Sequence, residues 1–221
     1  MALQEKRITI FSGHYGSGKT NIAVNYALRL REKHEKVAIA DIDIVNPYFR
    51  TKDSEELLRL HGVRLICSSY ANSNVDIPAL PAEMYAITDD KSLYGVLDVG
   101  GDERGALALG RLAPAIREEN NYEMVFVLNK FRPLTRDLDS ALTVMKEIEW
   151  ASGLSFTALI NNSNLGAETT EHDVRGSVAF AKEVADAAEI PFWYTTVHES
   201  LSSCFAGEEA CYRPILLQKR M

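Results

Sequence analysis

The sequence has little cysteine and lacks any long apolar run. Only three cysteines occur in 221 residues. The number is odd, and no Cys-x-x-Cys pair occurs. Small secreted proteins held together by disulfides instead have an even number of cysteines. Eighteen consecutive apolar residues, the length needed to cross a bilayer as a helix, are nowhere found in the sequence. We therefore predict a cytoplasmic chain with reduced thiols and no membrane span.

Basic residues are also scarce relative to acidic ones. The chain has 24 lysines and arginines against 31 aspartates and glutamates, which gives a formal net charge of −7. A surface that coats DNA or RNA needs clustered positive charge to neutralise phosphates. General nucleic-acid binding is therefore not expected. The charge balance does not exclude one small anion-binding pocket, because such a pocket needs few charges.

The residues that are present have the composition of a globular protein and alternate between strand and helix patterns. Hydrophobic residues make up 46% and charged residues 25% of the chain, which is typical of soluble domains. About seven short segments are apolar along their whole length, and most are separated by helical patterns. This arrangement is typical of a parallel sheet that is covered on both faces. We predict a single α/β domain over residues 1–221, with a mainly parallel sheet of about seven strands and helices on both faces.

The most specific motif is a glycine-rich loop between the first predicted strand and the first predicted helix. It fits the pattern Gly-x-x-x-x-Gly-Lys-Ser/Thr in full, and such loops bind phosphate through inward-facing backbone N–H groups and the helix N-terminus. Lys19 is expected to reach the β- and γ-phosphates, and the Thr20 hydroxyl is expected to bind Mg²⁺. A glycine-rich turn that binds nothing is the alternative. The loop consists of Gly13, His14, Tyr15, Gly16, Ser17, Gly18, Lys19 and Thr20.

Acidic residues end two of the predicted strands. Asp98 is followed by two glycines, and in phosphate-loop enzymes an acid in this place holds the Mg²⁺ shell. Asp41 and Asp43 are two residues apart, so they project the same way if their strand continues. Such a group of acids suits metal ligation or the orientation of an attacking water. Simple turns are the alternative at both places.

The order of these motifs resembles the MinD/ParA/CobQ-CobB group of P-loop nucleotide-binding proteins, which belong to the SIMIBI class. The resemblance implies a P-loop NTPase fold, with ATP and Mg²⁺ as cofactors. It assigns Lys19, Asp41 and Asp43 to catalysis, with either aspartate placing the hydrolytic water, and it puts Gly101 in the second switch. The implied metal ligands are Thr20, Asp43 and Asp98. The implied nucleotide-binding residues are Gly13, His14, Tyr15, Gly16, Ser17, Gly18, Lys19, Thr20, Asn161 and Asn162.

His14 departs from the pattern of that group. Its MinD- and ParA-like members carry a signature lysine at this position, and that lysine crosses a dimer to the partner's phosphates. A histidine is mostly uncharged at pH 7. Whether this chain forms a homodimer is therefore left open.

The choice of base can be argued from Arg132. The run from Asn129 to Arg132 stands where translation-factor-like GTPases carry Asn-Lys-x-Asp, and the aspartate there accepts the guanine protons. Arginine has no acceptor, which favours adenine. The resemblance places an asparagine that contacts adenine at Asn161 or Asn162, and simple turn formation is the alternative for both.

Together the motifs predict a Mg²⁺-dependent ATP-binding protein that hydrolyses ATP slowly and acts as a switch for an unidentified partner protein. Residues 46–53 and 101–105 would reorder when the γ-phosphate is lost. One alternative is an ATP-dependent ligase of the dethiobiotin-synthetase or cobyrinate-amidating type. It would activate the carboxylate of a small-molecule substrate, and residues 68–88 would shape the substrate site. A nucleotide-binding module without turnover is a further alternative.

Overall fold

One parallel sheet organises the chain. The computed structural model describes residues 5–42, 51–67, 81–101, 103–208 and 211–215. The strands are β1 (Ile8–Ser12), β2 (Val37–Ile42), β3 (Arg64–Cys67), β4 (Tyr94–Val99), β5 (Tyr122–Leu128), β6 (Ala158–Asn161), β7 (Phe192–His198) and β8 (Tyr212–Ile215). The helices are α1 (Lys19–Arg31), α2 (Glu55–Leu60), α3 (Ala86–Asp89), α4 (Glu103–Gly110), α5 (Ala113–Glu119), α6 (Leu138–Ser152) and α7 (Glu171–Ala187).

The strand order confirms the predicted fold class and adds one strand. Across the sheet the strands follow the order β3-β2-β4-β1-β5-β6-β7-β8, and every neighbouring pair is parallel. The additional strand is β8, at one edge of the sheet. It is four residues long and includes a proline, which is tolerated at the edge of a sheet. That the whole of residues 1–221 forms a single domain stays a prediction.

Residues 106–119, whose sequence has a helical pattern with Pro114 as a candidate kink, belong to two separate helices. Pro114 is the second residue of α5. Inside a continuous helix it would lack the N–H for its hydrogen bond, and its ring would clash with the carbonyl four residues earlier. The chain therefore ends α4 at Gly110 and begins α5 at Ala113.

Helices cover both faces of the sheet. Ile39 and Val96, in β2 and β4, lie in the core that includes α1. Their neighbours Ala40 and Leu97 lie in the opposite core, which includes residues of α4, α5, α6 and α7. Among the described helices, none combines the length and the apolar character that a membrane crossing requires.

A buried ion pair lies at the amino ends of the central strands. The guanidinium of Arg7, whose side chain is 5% exposed, donates to both carboxylate oxygens of Glu119. It also donates to the carbonyl oxygens of Ile87 at 2.8 Å and Leu93 at 2.7 Å. Arg7, assisted by Lys91, lowers the pKa of Glu119 from its ordinary 4.5 to about 2. The pair therefore joins the start of β1 to the end of α5 and stays charged far into the acid range.

Replacing Glu119 with glutamine is expected to lower stability and to weaken its dependence on pH in acid. Because the folded-state pKa is depressed, the pair stabilises the fold above about pH 4.5, and the contribution is lost as pH falls toward about 2. The shift corresponds to on the order of 3 kcal/mol. Urea unfolding at several pH values would measure the change. Lys91→Met removes only an exposed partner and should cost less than about 1 kcal/mol. An unchanged acid dependence in Glu119→Gln would contradict this assignment.

Candidate functional site

The glycine-rich loop follows β1, between the ends of β4 and β5. Its backbone forms a hydrogen-bonded turn, in which the N–H of Ser17 donates to the carbonyl oxygen of His14 at 3.0 Å. The N–H of Ile22 donates to Gly18 O at 3.3 Å and starts α1. Gly18 has φ 86°, a conformation that strains other residues. A Cβ there would also collide with the amide nitrogen of Asn162. Glycine is therefore required at this position by both backbone and packing.

Lys19 and Thr20 are the first two residues of α1, and both side chains are buried, with Lys19 only 3% exposed. The N-terminus of a helix carries partial positive charge, which favours an anion. The first turn of α1, which is described in full, contains no acidic residue. No carboxylate in that turn therefore competes with a bound anion.

Asp41 and Asp98 lie side by side at the ends of β2 and β4. They are register partners, which puts their backbones about 4.8 Å apart. Each follows by two residues a side chain, Ile39 or Val96, that faces the core shared with α1. Because side chains alternate along a strand, both carboxylates project toward the face that carries the loop helix. The third predicted acid, Asp43, lies outside the described residues.

The oxygen atoms near the loop fit a divalent cation. Threonine hydroxyls and carboxylates are oxygen ligands of the kind Mg²⁺ takes, and Thr20 and Asp98 supply them here. The buried hydroxyls of Ser12 and Ser17 have no hydrogen-bond partner within the described residues. Such atoms cost about 1–3 kcal/mol each when unsatisfied. One hydroxyl in the loop and one at the end of β1 therefore fit a ligand that supplies further hydrogen bonds.

Thr51 is a site residue that no sequence motif contained. Its side chain is fully buried, and its hydroxyl donates to Oδ2 of Asp98 at 2.9 Å. Thr51 begins the short 3-10 turn Thr51–Ser54. The bond therefore ties this turn to a predicted metal ligand. In the sequence, Thr51 was indicated only by its position within residues 46–53, one of the two segments predicted to reorder when the γ-phosphate is lost.

Gly101 contacts the loop directly. A Cβ at this position would lie well under 3.0 Å from the carbonyl oxygen of Gly13 and 2.8 Å from its carbonyl carbon. The backbone after β4 and the backbone of the loop therefore touch, with no space for a side chain between them. A shift in one requires a shift in the other.

His14 is neutral at pH 7 in this setting. Its Nδ1 lies 3.0 Å from the carbonyl oxygen of Tyr15, and since a carbonyl only accepts, Nδ1 carries the proton. Burial lowers the pKa of His14, and the positive charges of Lys19 and Arg132 lower that pKa further. Nε2 is then an acceptor. His14 adds no positive charge to the loop.

The side chain of Asn161, the last residue of β6, is enclosed by residues of β7 and α7 and by Ser163. Its amide nitrogen donates to Ser177 Oγ at 2.7 Å and to Thr195 Oγ1 at 3.2 Å. Its amide oxygen accepts from both the N–H and the hydroxyl of Ser163. These four bonds use every donor and acceptor position of the amide. They favour a bracing role, and a contact from Asn161 to adenine stays a prediction.

Asn162 supports the loop from the end of β6, two strands away from β1 in the sheet. Its amide nitrogen donates to the carbonyl oxygen of Ser17 at 2.6 Å, and its amide oxygen accepts from the hydroxyl of Thr196. The side chain therefore links the loop to β7 and fills the space beside Gly18. The structure brings Asn162 to the loop, whereas its contact with a base stays a prediction.

Arg132 also reaches the loop. Its Nε donates to the carbonyl oxygen of Gly16 at 2.8 Å. Lys130, two residues earlier, turns away, and its Nζ donates to Gly176 O in α7 at 3.2 Å. From the sequence, Arg132 was predicted only to disfavour guanine binding. Its contact with Gly16, 116 positions away, leaves no pattern in the local sequence.

Comparison with known proteins finds sequence similarity over part of the chain. No family model matches the chain. The chain is similar to the cytosolic Fe-S cluster assembly factor cfd1 of Emericella nidulans, with 31% identity over 96 residues. The match covers 43% of this chain and 27% of that protein, so most of the relative lies outside it.

Solved structures share the fold at low sequence identity. FtsY of Thermotoga maritima is 15% identical, with a TM-score of 0.60, over 88% of this chain and 63% of that one. The signal recognition particle receptor FtsY of Elizabethkingia anophelis, in complex with GDP, is 15% identical with a TM-score of 0.52, over 89% and 59%. The 54 kDa signal recognition particle protein of Aeropyrum pernix, also with GDP, is 13% identical with a TM-score of 0.53, over 88% and 42%. The chain spans less than two thirds of each. These likenesses show a shared α/β fold of the P-loop NTPase type.

Proposed function

We propose that this chain, a P-loop NTPase of the SIMIBI class by fold and motif, binds ATP with Mg²⁺ and hydrolyses it slowly as a switch. The proposal rests on two placements: the loop that leads to the buried Lys19 and Thr20 follows β1, and Asp41 and Asp98 lie near the carboxyl ends of β2 and β4, with β4 next to β1 in the parallel sheet. A buried ammonium at a helix N-terminus suits phosphates, and the hydroxyl and carboxylates suit Mg²⁺. These groups together match the needs of a metal-bound nucleoside triphosphate.

Each group has a distinct role in this proposal. Lys19 binds the β- and γ-phosphates, and the backbone N–H groups of residues 13–20 surround these phosphates. Thr20 and Asp98 hold Mg²⁺, with Asp43 as a further candidate ligand. Either Asp41 or Asp43 orients the attacking water.

Two contacts of the described residues support a switch. The hydrogen bond from Thr51 to Asp98 joins the predicted metal ligand to the turn that leads into α2. The close approach of Gly101 to Gly13 joins the loop to the segment that leads into α4. Loss of the γ-phosphate changes the charge beside both contacts, so both segments are expected to respond. A partner protein that binds these segments would then sense the nucleotide.

ATP is proposed over GTP because of the side chain at position 132. An arginine cannot accept the guanine N–H protons, and the Nε of Arg132 is already engaged with Gly16. Two of the similar structures hold GDP, so both nucleotides are compared in the test of the base.

Thermal unfolding with ATP or GTP, each with Mg²⁺, tests the base. At a hundred times its dissociation constant, ATP should add about 2.7 kcal/mol, which is roughly 5–10 °C in Tm for a chain of this size. GTP at the same concentration should give a smaller shift. A larger shift with GTP would refute the preference for adenine, and no shift with either would refute nucleotide binding.

Phosphate release separates the switch from the ligase. Slow release from ATP by the protein alone would support an ATPase. Release only after a carboxylic acid is added would support the alternative, a ligase that forms an acyl phosphate. A mass measurement with and without ATP would determine whether a homodimer forms.

A further inference from the structure

The turn after β5 holds a positive charge against the phosphate loop. The Arg132 guanidinium packs on Gly16, where an added Cβ would lie 3.2 Å from Nε and 3.3 Å from Cζ. Nε donates to the Gly16 carbonyl at 2.8 Å. Within the described residues, the terminal nitrogens Nη1 and Nη2 make no hydrogen bond or ion pair. Four of the five N–H donors of this side chain are therefore available to a ligand.

The backbone around Arg132 is fixed by hydrogen bonds. Its N–H donates to Asn129 O at 3.1 Å, and its carbonyl accepts from the N–H of Thr135 at 3.0 Å. The buried hydroxyl of Thr135 donates to the same Asn129 carbonyl at 2.7 Å. Because β5 pairs with β1, this turn and the phosphate loop emerge side by side. The arginine is thus held beside the loop by the fold.

The charges of Arg132 and Lys19 act on the same small region. After burial, these two cations are the groups that lower the pKa of His14 inside the loop. Two like charges near one loop repel each other, and a bound anion relieves that repulsion. Arg132 forms no ion pair with a carboxylate in the described part of the chain, so a protein side chain does not already provide that anion for it.

We propose that Arg132 binds the phosphate chain of the nucleotide through its terminal nitrogens, from within the same chain. The proposal rests on the proposed nucleotide binding and adds a second phosphate-binding cation to Lys19. The Gly16 carbonyl fixes Nε, and the planar guanidinium then presents two nitrogens together, a geometry that suits phosphate oxygens. Arg132 in this role recognises phosphate and not the base.

Calorimetric titration with Mg²⁺·ATP and with Mg²⁺·tripolyphosphate, which has no base, tests the proposal. Arg132→Gln should weaken both ligands by a similar factor, about tenfold or more. It should also reduce the dependence of affinity on salt, because one fewer charge faces the phosphates. Arg132→Lys keeps the charge, so it should keep the salt dependence and part of the affinity. Arg136→Gln is the matched control, since Arg136 is 75% exposed in the same turn, and it should bind like the wild type.

Three results would overturn the proposal. If Arg132→Gln weakens ATP but not tripolyphosphate, Arg132 acts on the base. If it weakens both without changing the salt dependence, Arg132 only braces Gly16. If it binds both with wild-type affinity, Arg132 does not contact the ligand. A wild-type protein that binds neither ligand would instead refute the proposed function, and unfolding of the ligand-free variants would identify any that are misfolded.

Discussion

Replacing Lys19 with methionine is expected to abolish nucleotide binding while the chain stays folded. The lysine is buried at the start of α1, so methionine keeps a similar apolar stem and removes the ammonium. Charge-assisted hydrogen bonds contribute about 1.5–3 kcal/mol each. A lysine shared by two phosphates makes at least two of them, so the affinity for Mg²⁺·ATP should fall by roughly a hundredfold or more. The thermal shift with ATP should then vanish at a concentration that saturates the wild type.

Lys146→Met provides the control for this experiment. Lys146 lies on the exposed side of α6, and its replacement changes the net charge by the same amount. This variant should show the full thermal shift. A normal Tm for ligand-free Lys19→Met would show that the loss of binding is not a loss of folding. A Lys19→Met protein that still gains stability with ATP would refute the loop as the binding site.

Replacing Gly101 with alanine is expected to damage both stability and binding. The new methyl group would lie well under 3.0 Å from the Gly13 carbonyl. Both sides of this contact are backbone, so no flexible side chain can move away. Overpacking typically costs about 1–3 kcal/mol, which is roughly 2–12 °C in Tm for a chain of this length. ATP binding should weaken as well, because the loop amides must shift.

Gly176→Ala makes the same chemical change where there is space. Gly176 lies in α7, and an added Cβ would meet nothing within 4 Å. Alanine is preferred over glycine in a helix by up to about 1 kcal/mol, so this variant should unfold at a slightly higher temperature and bind ATP normally. The two substitutions should therefore change Tm in opposite directions. Equal Tm and affinity for Gly101→Ala and the wild type would contradict the contact with Gly13.

Features that are local in the chain could be predicted from the sequence. The loop consists of eight consecutive residues, 13–20. Its backbone geometry requires particular residue types at fixed positions, so the loop can be identified from the local sequence. The place of Asp98 near a strand end could be predicted, because an apolar run followed by an acid and glycines is a local pattern. The parallel sheet followed from apolar strands that alternate with helices, since a strand covered on both faces has no polar side.

Contacts between distant parts of the chain could not be predicted. Thr51 reaches Asp98 across 47 positions, and Asn162 reaches Ser17 across 145. Such pairs depend on the order and register of the strands, which the pattern within one strand does not contain. The same reason applies to β8, because its four residues form a strand by pairing with β7.

The phosphate loop is held from three neighbouring strand ends, by Gly101 after β4, Arg132 after β5 and Asn162 after β6. A loop fixed in this way has little conformational freedom left to lose when a ligand arrives. Ordering a free backbone costs about 1–2 kcal/mol per residue, and here folding has already imposed that order. More of the free energy of each phosphate contact is then retained as affinity. The loop is preorganised for the proposed nucleotide by residues that lie far from it in the sequence.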